Sequence, residues 1–396
     1  MKAIVKIKKH TVRRAIILIS LVILTLAALL FPRFVSPAAA EVYSGRIFPY
    51  IAMPANLVSG LVQTSVTEAV VVVGAPTLLV LVIIFTVKVI KKALLGRGAR
   101  EYVYKVSRNA LVIALVMSII FSFMHALNYR RYPARQLMEL YGGDYTFDDY
   151  EKALNWAYLG MISARSDLGE DFAGVAHMNN SFENNVSYAN MLVSDVLGGY
   201  GINVSNEIIR AKPVALSHYW SMFGIVGMYD MFLGESNINT DYIDITEFPI
   251  TVCHEILHAK GFARETDCNM LAAICCIRSS RPDFRYAGYY QIFWSLYPIV
   301  TEYAASEGRE LYEYTNDKNI QPVFADTRAR MKYWDNIHRE SDRILDMLGI
   351  DLEQIGENAN DAFLEANGQE GGTDTYEVPY SVYVDFYKQY VEETDA

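Results

Sequence analysis

Two histidines and a glutamate stand at the spacing His254-Glu255-Ile-Leu-His258. On a helix, residues four apart share a face, so the two imidazoles point the same way. Imidazoles so placed suit one zinc ion, and Glu255 beside them is then the candidate general base. Gly261 suits the left-handed position that ends a helix. Residues 264–277 read as a second helix. Glu265 begins it and is the candidate third ligand. Asn269 lies four residues on, on the same face, where its amide would bond a ligand histidine. Phe248, Ile250, Val252, Ile256, Leu257 and Phe262 make the first helix largely apolar. Buried there, two histidines and a glutamate need partners, and a single metal ion serves all three; the bland reading is a self-satisfied polar cluster.

The elements around this motif divide sharply by charge. Residues 1–128 hold 15 Lys+Arg and 3 Asp+Glu, a net of +12; the whole chain of 396 residues is −10, so residues 129–396 carry −22. That asymmetry separates a basic membrane region from an acidic domain. Phosphate repulsion argues against nucleic acid as a partner of the acidic part. The four cysteines, at 253, 268, 275 and 276, have neither zinc-knuckle nor disulfide-framework spacing; Cys253, Cys268 and Cys275 read as small buried hydrophobes.

Three apolar runs, 15–31, 69–87 and 110–127, are long enough to cross a bilayer. The first reads as an uncleaved anchor rather than a signal peptide, being long for a signal sequence. Residues 41–65 read as a polar and aromatic connection. The N-terminal tail and the loop carrying Lys88, Lys91, Lys92, Arg97, Arg100, Lys105 and Arg108 are basic and therefore expected in the cytoplasm. Three spans then place the domain from 129 onward outside it. Arg130, Arg131 and Arg135 run against this pattern.

Beyond the spans, helical spacing is expected over 148–164, 188–197, 325–347, 358–366 and 378–391. Residues 227–234 are apolar and glycine-bounded, like a strand. Thr246 is the expected N-cap of the motif helix, with Pro249 in its first turn. The aromatic helix around 285–294 reads mainly as core, with Arg285, Tyr286 or Tyr289 as candidates to steady an oxyanion. Residues 368–372 are a turn-rich break.

The run from His254 to Asn269 resembles the core of the bacterial DUF3810 membrane proteins. Three further stretches match: Tyr43-Ser-Gly-Arg-Ile-Phe-Pro49, the segment from Lys212-Pro to Gly224-Ile-Val-Gly-Met-Tyr-Asp-Met-Phe-Leu-Gly-Glu235-Ser-Asn-Ile-Asn, and Phe363-Leu-Glu-Ala-Asn-Gly-Gln with Thr375-Tyr. Glu265-x-x-x-Asn269 also resembles the Glu-x-x-x-Asp element of gluzincin peptidases, in which the glutamate binds zinc and the residue four on orients a histidine. Such a resemblance implies a mainly α protein: three transmembrane helices, then a gluzincin-like, helix-rich metallopeptidase domain with a small β-sheet. It further implies that the strand at 227–234 edges the cleft and that backbone groups near Tyr229 to Leu233 pair with an extended peptide; the bland reading is an interior hairpin strand. The chain departs from the family where Asp267-Cys268-Asn269 stands for Glu-Ala-Asn, and His258 to Glu265 is shorter than in most gluzincins.

The third ligand is therefore Glu265 or Asp267. The two point about 200° apart on a helix, and Glu265 shares the face of Asn269 and has the longer reach. The reading reached is a multi-pass membrane protein whose extracytoplasmic domain is a zinc metalloendopeptidase. His254, His258 and Glu265 hold zinc, Glu255 is the base, and the partners are a peptide or protein substrate and the lipid bilayer. The alternative is an inactive membrane-tethered binding or sensor protein with a structural zinc, for which Asp267, Cys253 or Cys268 would supply a further ligand.

Overall fold

The computed structural model describes residues 2–205, 207–366, 369 and 376–395. Helix α1 (Lys2–Leu30), α4 (Val66–Leu94) and α5 (Ala99–Phe121) contain the three apolar runs, and each is long and apolar enough to cross a membrane. Their side chains face outward; Val73, Leu78 and Leu79 are each more than 60% exposed. Such a continuous apolar exterior is what a membrane-spanning helix presents. The end of α1 packs on the end of α5, where the Ser122 hydroxyl donates to the Ala28 carbonyl at 2.6 Å.

The polar and aromatic connection between the first two spans, residues 41–65, is largely helical. Helix α2 (Pro37–Val42), capped by Ser36, runs through a π-helical turn, Tyr43–Ile47, into α3 (Phe48–Ser59). Phe48, Ala52, Asn56 and Ser59 line the buried side of α3, while Tyr50, Val58 and Leu61 point away from the protein. A second π-helical turn, Ser122–Ala126, continues α5. The two turns are tied together: the Tyr43 hydroxyl donates to the Phe123 carbonyl, and the Ser44 hydroxyl to Asn128 Oδ1 at 2.8 Å.

After the short α6 (Ala134–Leu137), the domain is built of α7 (Phe147–Ser166), α8 (Phe182–Gly199), α9 (Ser217–Met222), α10 (Phe248–Ala259), α11 (Glu265–Ile277), α12 (Pro282–Glu307), α13 (Gln321–Leu348), α14 (Leu352–Ala366) and α15 (Tyr380–Asp395). Thr146 and Asp149 close a reciprocal capping box on α7. Every residue of α10 but Ile250 is buried, the helix being wrapped by α8, α11 and the sheet. Its N-cap is Glu247 rather than Thr246, whose hydroxyl is held upstream by Asp244 Oδ1 at 3.0 Å. Gly288 lets α12 close on α11: a Cβ there would stand 2.7 Å from the Ile277 nitrogen.

Three short strands, β1 (Lys212–Pro213), β2 (Gly227–Asp230) and β3 (Glu235–Ile238), form a sheet in the order β1-β3-β2. The strand expected over 227–234 is thus half as long. Residues 231–234 form the turn of a hairpin, in which Asp230 Oδ1 accepts from the Phe232 and Leu233 nitrogens. β2 is the outer strand and pairs antiparallel with β3, Gly227 opposite Ile238 and Tyr229 opposite Ser236. All four cysteines are free thiols and buried, as expected of Cys253, Cys268 and Cys275. The turn-rich break at 368–372 lies outside the described residues apart from Gln369.

Candidate metal centre

Helix α10 carries His254 and His258 one turn apart on the face turned toward α11. The left-handed Gly261, at φ 91°, reverses the chain so that α11 starts beside them. The result is a tight triangle. The two Nε2 atoms are 3.0 Å apart, and Glu265 Oε2 lies 3.0 Å from His254 Nε2 and 3.4 Å from His258 Nε2. Metal–ligand bonds of about 2.0–2.1 Å give a tetrahedral ligand–ligand edge of about 3.3 Å. Three donors at this separation, two imidazoles and a carboxylate, therefore fit a zinc ion in both chemistry and spacing.

The tautomer of His258 is fixed for such a role. Its Nδ1–H donates to the Phe262 carbonyl at 2.8 Å, leaving the Nε2 lone pair turned to the triangle. Burial opposes protonation of His258, but Cys268 and Glu265 beside it outweigh this and raise its pKa. Burial alone would raise Glu265; the two histidines more than offset it and hold the carboxyl below the usual carboxylate range.

Glu255 lies next to the triangle, buried, with Oε2 lacking any partner among the described residues. Burial pushes its pKa up to about 7, against the pull of His254 and His258. A carboxyl near neutrality can both take and return a proton. β2 passes directly over it: a Cβ on Gly227 would stand 2.6 Å from Glu255 Oε1.

Asp267 points away. It accepts from Arg264 Nε at 2.9 Å and from the Ala134 nitrogen at 3.0 Å, anchoring α11 to the segment that leaves the third span. Of the two candidates for third ligand, then, only Glu265 meets the histidines. Asn269 does not reach a histidine either; its amide donates to the Tyr376 carbonyl at 2.8 Å. The face was read correctly, but the neighbour on it is a distant loop, and the Phe262 carbonyl does the orienting instead. Cys268 Sγ sits on the other side of His258, 3.4 Å from Nδ1, and groups with both histidines within 4.8 Å. Burial pushes this thiol up to about 11. Cys253 lies elsewhere, 4.0 Å from Cys276.

The oxyanion candidates on α12 are all committed. Tyr286 donates to Asp326 at 2.8 Å, Arg285 to the Ser280 carbonyl at 2.7 Å, and Tyr289 packs on Trp156. Other residues stand nearer the histidines. The Tyr229 ring stacks on His258, centroids 6.1 Å apart, and on its other side faces His125 at 6.5 Å. Tyr129 sets its edge on His125 at 5.0 Å. His125 Nε2 and the hydroxyls of Tyr129 and Tyr229 are buried and unpartnered among the described residues. Polar atoms so placed are rare in folded proteins, and three of them cluster beside the two histidines. A histidine inside an otherwise apolar span was the available signal for His125; Tyr129 and Tyr376 had none.

A buried arginine joins this centre to the spans. Arg131 Nη1 donates to the Gly261 carbonyl at 3.0 Å, its guanidinium lies 3.9 Å over the Phe262 ring, and its other nitrogens bond Glu41 at 2.7 and 3.0 Å. Arg264 returns the contact, donating to the carbonyls of Tyr129 and Arg131 at 2.9 and 3.0 Å.

The chain belongs to the family described as Protein of unknown function (DUF3810), whose model matches residues 43–380. No curated protein and no solved structure matches the chain.

Proposed function

We propose that this member of the DUF3810 family is a membrane-anchored, zinc-dependent metallopeptidase with its active site outside the cytoplasm. The observation that carries this reading is the triangle of His254, His258 and Glu265, with Glu255 buried beside it. Zinc bound there would act as a Lewis acid toward water and the peptide carbonyl. His254, His258 and Glu265 would hold it through Nε2, Nε2 and a carboxylate oxygen. Glu255 accepts a proton from the attacking water and returns it to the leaving amine. The outer edge of β2, above Glu255, receives the peptide backbone by strand addition. The unpartnered hydroxyl of Tyr229 is available to the carbonyl oxygen. The gluzincin-like character belongs to this proposal and rests on the order of these residues.

The placement outside the cytoplasm is supported by the basic tail and the basic loop at 88–108. Of the three arginines that run against this pattern, Arg131 is buried with its charge paired to Glu41 and does not count as a loop charge, while the exposed Arg130 and Arg135 are outnumbered by the basic residues of the tail and loop.

A second reading is favoured by Cys268: with both histidines it makes a donor set suited to a structural zinc in a non-catalytic binding protein. Zinc content and cleavage of a degenerate peptide library by wild type and Glu255→Gln separate the two. Retained zinc with cleavage lost by about 10²–10⁴-fold supports the peptidase; zinc-loaded wild type that cuts nothing supports the structural site.

A further inference from the structure

The hairpin that overhangs the candidate base leads to the membrane. In the β2–β3 pair, the Asn239 nitrogen bonds the Val226 carbonyl at 2.9 Å. Antiparallel alternation then turns the backbone groups of 226, 228 and 230 toward β3, and those of Gly227 and Tyr229 to the outer edge. Gly227 stands over Glu255. At the other end of the strand, Asp230 Oδ2 accepts from the Thr67 hydroxyl at 3.1 Å, in the first turn of the second span. Beyond it, the Phe232 ring meets Phe121 of the third span at 6.4 Å. At about 3.4 Å per residue, the strand carries the edge from the base to the start of the spans in about 10–14 Å.

Independent contacts place the same boundary beside the centre. His125 and Tyr129 belong to the last turns of the third helical segment long and apolar enough to cross a membrane, Ala99–Arg130. Helix α3 connects the ends of two spans, so it lies at the membrane face. Its outward side chains are apolar, with Tyr50 74%, Leu57 57% and Val58 67% exposed. An amphipathic helix so tethered lies in the headgroup region. The inner face of α3 supports the hairpin: a Cβ on Gly234 would meet Ala55 Cβ at 3.3 Å. Phe48, at its start, abuts Gly261 in the motif turn.

We infer that the substrate is a membrane-anchored polypeptide, laid along β2 and cut within about four residues of the bilayer surface. This rests on the peptidase reading and adds the substrate's class. A strand on β2 has one end at the lipid boundary, where an anchor continues it without a bend. A peptide free in solution lacks that anchor and the surface confinement that comes with it.

The test uses the full-length, zinc-loaded protein in phosphatidylcholine–phosphatidylglycerol vesicles. The substrates are a single-span helix bearing a degenerate extension of about 20 residues, ~70 Å when extended, and the same extension without the helix. Cuts absent from Glu255→Gln are mapped by mass spectrometry. The expected cuts crowd next to the anchor, and the free extension is cut at least about tenfold more slowly. Equal rates, or cuts spread along the extension, overturn the substrate class and leave the peptidase standing. Absence of cleavage in both libraries removes the peptidase reading, and the substrate class with it. A nitroxide at Phe232→Cys, read by oxygen against a water-soluble nickel chelate, checks the geometry without catalysis. It is expected to sit in lipid; chelate access equal to that at exposed Ile350 overturns the inference even if peptides are cut.

Discussion

Glu255 is confined by Gly227: the strand passes so close that a single methyl on Gly227 would lie 2.6 Å from Oε1 and 2.8 Å from Thr251 Cγ2. The backbone of Gly227 has ordinary strand geometry, so only these two side chains oppose a larger residue. Gly227→Ala is therefore expected to fold, at a cost of about 1–3 kcal/mol, and to keep zinc. Displacing Glu255 should lower kcat toward the loss seen on removing a general base, about 10²–10⁴-fold. Wild-type turnover in Gly227→Ala would show that the carboxylate does not need its present position.

The three residues of the first turns of α11 have separable roles. Glu265→Ala should empty the site in a chelator competition. Asp267→Ala should keep zinc yet lose about 1–3 kcal/mol of stability, since it leaves the buried Ala134 nitrogen and Arg264 Nε without their acceptor. Asn269→Ala should leave zinc affinity unchanged, because its amide holds the Tyr376 loop and not a histidine. A chelator titration alongside thermal unfolding reads all three, and zinc loss in Asp267→Ala with retention in Glu265→Ala would reverse the assignment.

His125 offers an unusual combination. Its Nε2 is buried without a partner, and such an atom costs about 1–3 kcal/mol. His125→Phe keeps a ring among Phe121, Tyr129, Tyr229 and Phe363 while removing that burden. Stability should stay the same or rise by about 1 kcal/mol, zinc should remain, and kcat should fall by about tenfold or more. A stable, zinc-loaded His125→Phe with unchanged kcat would make the histidine a packing residue.

Sidedness can be read directly. Cysteine at Asp351, on the domain surface, should react with an impermeant maleimide in intact cells, whereas cysteine at Arg97, between the second and third spans, should react only after lysis. The native thiols are buried and should stay silent. The opposite pattern of labelling would invert the topology.

Sequence pattern revealed the parts whose neighbours are close along the chain. The motif helix, its glycine turn, the three apolar helices and α7 are local matters of spacing and hydropathy, whereas the cap expected at Thr246 fell one residue short of Glu247. What escaped it depended on distant packing. Residues 231–233 look like strand because they are apolar, but Phe232 is apolar to meet a span. Residues 41–65 look like a link because Pro49, Pro54 and Gly60 interrupt a pattern whose apolar side faces outward rather than toward a core. Asn269 was placed on the correct face, but its partner lies 107 residues away. Tyr229 was noticed as part of a strand, whereas its stacking on His258 exists only once β2 crosses α10.

The clasp of Arg131 on the Gly261 carbonyl has a consequence for biogenesis. Its counter-ion, Glu41, follows the first span, and Arg131 itself follows the third. A freshly made domain still waiting for its spans to assemble would have the arginine without the carboxylate, and the turn that positions Glu265 without its brace. The clasp therefore closes only where the ends of the first and third spans lie side by side, which ties the shape of the turn at Gly261 to the packing of those two helices.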